Sequence, residues 1–84
     1  MEVRIHPRVV DYIEEVGEKE RIKRKLENLK EKPYKSRSGT DIKKLKDKEN
    51  EMYRLRIGPH RFEYFVEEGV VWVENAFRRG RGYR

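Results

Sequence analysis

The chain has 84 residues, no cysteine, and a net charge of +6 from 22 Lys and Arg against 16 Asp and Glu. That length leaves room for one core, so residues 1–84 are expected to form a single domain, and the missing cysteines exclude a disulfide frame or a thiolate zinc site. The longest apolar run, Val70 to Val73, cannot span a bilayer, and Met1 to Arg8 carries Glu2, Arg4 and Arg8 where a signal peptide needs an apolar core; both point to a soluble, cytoplasmic protein.

Val3 and Ile5 alternate with polar neighbours and predict a short strand. Pro7 suits the first turn of a helix, and Val9, Ile13 and Val16 recur at helical spacing until Gly17 ends it. A second helix is predicted from about Glu18 to Lys32, with Ile22, Leu26 and Leu29 as its apolar stripe and Pro33 as its stop. The two form a helical hairpin. Pro33 to Asp41 reads as a loop and Ile42 to Lys46 as a short edge strand. Met52 to Ile57 is a strand with Tyr53, Leu55 and Ile57 on one face and Arg54 and Arg56 on the other. After a Gly58-Pro59 turn, Phe62, Tyr64 and Val66 alternate with Arg61, Glu63 and Glu67 in a further strand. Glu68-Gly69 turns the chain into Val70 to Arg78, the most apolar strand and the expected centre of the sheet. The fold class is α+β: an N-terminal strand, a two-helix antiparallel hairpin, then three or four mainly antiparallel strands.

Charge is uneven along the chain. Residues 19–48 carry a balance of +8 and residues 75–84 a balance of +4, on either side of an acidic stretch. Brought together by the fold, the two blocks would make a cationic face able to displace counterions from a phosphate backbone; apart, they are a solvated helix and a basic tail. The absence of glutamine, with many Lys, Arg and Glu, suits the ion-pair-rich surface of a thermophile.

Most site chemistries are missing. His6 and His60 lack metal-ligand spacing, no glycine-rich phosphate loop is present, and Ser36 and Ser38 have no paired base. Neither a metal nor a cofactor is expected. What remains is a set of cations on strands. Arg54 and Arg56 share a face, and Arg61 begins the neighbouring strand after a tight turn. Either these arginines form an anion-binding patch, or they pair with Glu63 and Glu67 across the hairpin. Arg78, Arg79 and Arg81 follow the last strand, and Tyr83 supplies a ring able to stack on a base.

The order of Lys44-Leu45-Lys46, Tyr53-Arg54-Leu55-Arg56-Ile57-Gly58, His60-Arg61, an apolar strand and Arg78-Arg79-Gly80-Arg81-Gly82-Tyr83, preceded by Ile5-His6-Pro7 before Val9 and Val10, resembles the RelE-type toxins of bacterial and archaeal toxin–antitoxin pairs. A thermophilic source fits the composition, and the resemblance admits an archaeal one. The resemblance covers the whole chain and implies a microbial ribonuclease-like RelE fold. It also implies a metal-independent endoribonuclease that cuts mRNA in the ribosomal decoding site. There a ribose 2′-OH attacks the adjacent phosphate and a 5′-hydroxyl fragment leaves. By the same resemblance Arg54 and Arg56 are the paired basic residues, Arg61 binds phosphate, Arg79 (or Arg78) acts as acid or charge clamp, and Tyr83 stacks on the substrate. Lys44, Lys46, Arg78, Arg81, Lys23 and Arg24 are then candidates for contact with RNA or ribosome. Some family members place lysines at the strand pair; arginine does not deprotonate readily, so His60 becomes a candidate for proton transfer, against the simpler reading of a solvent-facing turn histidine. The implied partners are a RelB-like antitoxin, in a heterodimer or heterotetramer, the ribosome and mRNA, with no membrane. Two neighbouring readings are a ParE-like gyrase-poisoning toxin and a catalytically silent homologue that binds only RNA or antitoxin.

Overall fold

The computed structural model describes residues 1–45 and 51–80. Strand β1 (Glu2–Ile5) runs directly into helix α1 (Pro7–Val16). His6 caps that helix, its Nδ1 accepting the Arg8 N–H at 3.1 Å, and Pro7 gives up only an N–H that a helix start leaves unused. Gly17 closes α1 in the left-handed conformation, at φ 79°, where a side chain would be strained. Helix α2 (Lys19–Glu27) tightens into a 3₁₀ turn over Asn28–Lys30. The predicted helix to Lys32 is thus shorter than expected. Pro33 disfavours helical geometry at Lys32, and the tightened turn leaves Leu29 completely buried.

Four more strands follow: β2 (Asp41–Leu45), β3 (Met52–Ile57), β4 (His60–Glu67) and β5 (Val70–Arg78). They form one five-stranded sheet in the order β1-β5-β4-β3-β2, antiparallel except that β1 joins β5 in parallel. β2 is an edge strand, as expected. β4 and not β5 occupies the centre, because β1 returns to the outer side of β5 and β4 is left with two neighbours on either side. The β4–β5 connection is a two-residue turn with Glu68 at φ 50° and Gly69 at φ 74°, the positive angles that match the twist of a tight hairpin. A bulge at Glu63/Tyr64 inserts one extra residue of β5, so that Glu63 pairs with Asn75 and Tyr64 with Val73.

The helices cover a single face of the sheet. Val9, Ile13, Ile22, Leu26 and Leu29 pack with Leu55, Ile57, Phe62, Tyr64, Val71 and Val73 in one continuous core. Alternation then sends the intervening residues to the far face: Asp41 and Lys43 from β2, Arg54 and Arg56 from β3, Arg61, Glu63 and Phe65 from β4. Leu55 is fully buried in the middle of β3. Leu55→Ala is expected to lower unfolding free energy by about 2–5 kcal/mol in urea titration, whereas Val10→Ala, on an exposed helix position, should stay within about 0.5 kcal/mol.

Candidate active site on the sheet

On the far face the strand register sets side chains in cross-strand rows. In one row Arg56 stands directly opposite Arg61, with Asp41 beyond Arg56 and Phe77 beyond Arg61. In the next, Lys43, Arg54, Glu63 and Asn75 follow one another across the sheet. The expected pairing of Arg54 with Glu63 therefore exists as a register pair, but Arg56 does not meet Glu67. Two like charges directly opposite each other repel. Among the described residues Arg56 pairs with Asp41, its Nη1 lying 3.8 Å from a carboxylate oxygen at the exposed edge. Glu63 accepts a hydrogen bond from Asn75 Nδ2 at 3.3 Å.

Arg61 is the unusual member of the group. It is only 5% exposed, and its buried Nε and Nη1 have no hydrogen-bond partner among the described residues. A guanidinium carries five donors and no acceptor, so burying it with donors unused is costly unless an anion arrives. Arg79 lies in the turn that follows β5, and its N–H donates to the Pro59 carbonyl at 2.7 Å. The fold thus brings Arg54, Arg56, Arg61 and the Arg79 backbone to one end of β3 and β4. Lys46, Arg81 and Tyr83 lie outside the described residues.

His60 does not join this set. It is neither a solvent-facing turn residue nor a neighbour of the arginine row, because it precedes Arg61 by one residue and points to the helix side. It is 1% exposed; its Nδ1 lies 2.7 Å from Tyr12 Oη, and its Nε2 3.2 Å from Glu18 Oε2. Arg78, opposite His60 in register, is likewise on the helix side, where it lines a cleft of about 650 Å³ with Tyr12, Glu18, His60 and Phe77. Lys23 and Arg24 are exposed on α2, the layer that covers the opposite face of the sheet. Among the described residues the first block is divided: Lys23 and Arg24 lie on helix α2, away from the arginine face, and Lys43 of β2 stands beside Arg54 on it. Lys44 points to the helix side and pairs with Glu51 at 3.2 Å.

Glu63 is the residue that the sequence reading passed over, having treated it only as a counter-charge. Its alternation with Phe62 and Tyr64 already put it on the arginine face. It is half-buried and sits about 7 Å along the strand from Arg61, so it is the titratable carboxylate nearest that guanidinium on β4.

The clamp around His60 has a measurable pH signature. The hydrogen bond from His60, followed by that from Arg21 at 2.9 Å, holds the Glu18 carboxyl below its usual 4.5. A carboxylate with a depressed folded pKa stabilises the fold above its unfolded pKa and loses that contribution as pH falls through the folded value. Glu18→Gln should therefore be less stable than wild type at pH 7, with the gap closing below about pH 4.5 in urea titrations across pH.

Comparison with known structures agrees with the fold. The chain is similar, at 27% identity and a TM-score of 0.80, to a chain of the archaeal RelE–RelB complex from Pyrococcus horikoshii OT3, over 95% of this chain and 96% of that one. A chain of the RelB–RelE antitoxin–toxin complex from Methanococcus jannaschii shares the fold, at 23% identity and a TM-score of 0.73 over 94% and 93% of the two chains. No protein-family model and no curated relative matches the sequence. The fold is RelE-like, and the resemblance to RelE-type toxins holds from β1 to the end of β5. Among the described residues no helix is long and apolar enough to cross a membrane.

Proposed function

We propose that this chain is the toxin of a toxin–antitoxin pair and that it cleaves mRNA on the ribosome through the arginine face. The observation that supports this reading is Arg61, buried to 5% exposure with unused Nε and Nη1 donors and set opposite Arg56. A phosphate between these two guanidinium groups would satisfy the orphaned donors and turn a repulsion into a shared attraction. In the reaction the 2′-oxygen forms a bond to phosphorus as the bond from phosphorus to the 5′-oxygen breaks. Negative charge gathers on the non-bridging oxygens, where Arg61 and Arg56 stabilise it. Arg54, paired with Glu63 in register, orients the chain of the substrate.

Two protons must move. Arginine does not take one, and His60 faces the other side of the sheet. Glu63 takes the role of acceptor for the 2′-OH proton, and Arg79, beside the Pro59 turn, serves as the charge clamp for the leaving 5′-oxygen, which takes its proton from water. Tyr83 keeps the stacking role implied by the family resemblance. An antitoxin that neutralises this face would bring carboxylates to Arg54, Arg61 and Arg79, and its sequence would be acidic at those contacts.

The test is cleavage of a defined mRNA by the purified chain with and without ribosomes. Cleavage is expected only with ribosomes, and Arg61→Ala should lower kcat by about 10²–10³ while unfolding cooperatively, like wild type. Intact message together with inhibited DNA supercoiling would instead establish the gyrase-poisoning reading. A second measurement addresses the proton inventory: Glu63→Gln should lower kcat with little change in KM, since a proton acceptor acts on the chemical step. An unchanged kcat would take the acceptor role away from Glu63.

A further inference from the structure

The first basic block, left behind by the arginine face, has a ring set into it. Tyr34 is 53% exposed, the largest exposure of any aromatic residue among the described ones. Its position is fixed from beneath. Its ring packs against Tyr53 with centroids 5.1 Å apart, and Tyr53 stacks on the fully buried Tyr64 at 5.8 Å and 22°. Tyr64 Oη in turn donates to the carbonyl of Pro33, the residue immediately before Tyr34.

The loop that carries the ring is also braced. Arg37 donates to the carbonyls of Lys32, Lys35 and Asn28 at 3.1, 2.9 and 3.4 Å. Ser36 Oγ bridges Thr40 and Ile42, and Lys25 donates to the Gly39 carbonyl. Such bracing has no need to leave a large ring in solvent. Residues 28–45 hold six basic and two acidic side chains. Among the described residues, the carboxylate beside Tyr53 is that of Glu51, which forms with Lys44 an ion pair whose partners are 70% and 60% exposed and which solvent screens strongly.

We infer that Tyr34 is a stacking platform for an unpaired base of single-stranded RNA, held in a cationic surface on the opposite side of the sheet from Arg54, Arg56 and Arg61. A flat exposed ring with a fixed orientation offers a π-face to any base, and Lys32 and Lys35, its near neighbours in the chain, with Lys44 opposite Tyr53, attract the backbone phosphates. An acidic peptide would use the same lysines but would gain nothing from the ring. The site is separate from the cleavage face, so it stands or falls independently of the proposed nuclease activity.

The experiment is fluorescence anisotropy of a labelled 12-nucleotide uridine RNA at 50 mM salt, with wild type, Tyr34→Ala and Tyr34→Phe. Wild type should bind, Tyr34→Ala should bind about 5- to 100-fold more weakly, and Tyr34→Phe should stay close to wild type, because stacking needs the ring and not the hydroxyl. The same Ala-to-wild-type ratio is expected in an Arg61→Ala background, since distant sites contribute additively. Urea midpoints of both Tyr34 variants should remain near wild type, which separates lost stacking from lost structure. No binding by wild type, equal binding by Tyr34→Ala, or an equal loss in Tyr34→Phe would overturn the proposal. Binding of oligoglutamate as tight as that of RNA and indifferent to Tyr34 would overturn it in favour of an acidic protein partner.

Discussion

A layer of two helices can cover only one face of a five-stranded sheet, and the arginine face consists of the residues left on the other. Val9, Ile13, Ile22, Leu26 and Leu29 reach across to Leu55, Ile57, Phe62 and Tyr64. In a small chain that interface has to supply most of the stabilisation, since burial of apolar area is the only large favourable term available. It also sets the phase of every strand. Once Leu55 and Phe62 face the helices, Arg54, Arg56 and Arg61 must face away, and a one-residue slip in register would bury the first two and empty the core. The apolar pattern therefore aims the cations as firmly as it builds the core.

Within that frame the far face is not uniformly relaxed. In the row through Arg54 a carboxylate, Glu63, stands directly opposite the guanidinium, and Asn75 supplies a further hydrogen bond to Glu63. The adjoining row sets Arg56 against Arg61 and leaves Arg61 with two buried donors unused. Each such donor costs about 1–3 kcal/mol, and more when charged. A domain of this size tolerates that only where something else needs it, and the same donors become an asset when an anionic phosphate or an antitoxin carboxylate occupies the row. The His60 clamp does the opposite work on the other side of the same strand. By gripping Tyr12 and Glu18 it ties the start of β4 to the helices, one residue from Arg61.

Much of this was legible from local pattern. Pro7 and Gly17 bound the first helix, the alternation in β3 and β4 separated arginines from core residues, and the Glu68-Gly69 pair marked the hairpin. The order of basic and aromatic segments carried the RelE-type resemblance through the whole chain. What escaped was set by contacts distant in sequence. His60 adjoins a turn and reads as exposed, but its partners lie 42 and 48 residues earlier. The parallel return of β1 onto β5 moved the sheet centre to β4, and no periodicity within β5 signals that. The first charge block is split by the sheet, with Lys23 and Arg24 on the helix layer and Lys43 on the arginine face, a division that the running charge along the chain does not reveal. Arg61 stood out in the sequence as a strand cation, but its burial is visible only once β3 and β5 flank β4.

The central claim is that Arg61 is kept for an anion and not for the fold, and the unfolding free energy of Arg61→Met tests it most directly. Methionine preserves the length of the side chain and removes the unpartnered donors. The account predicts a variant at least as stable as wild type in urea titration. A loss of about 3 kcal/mol or more would contradict it, because that is the cost of breaking a buried charge out of a satisfied network, and Arg61 would then be structural.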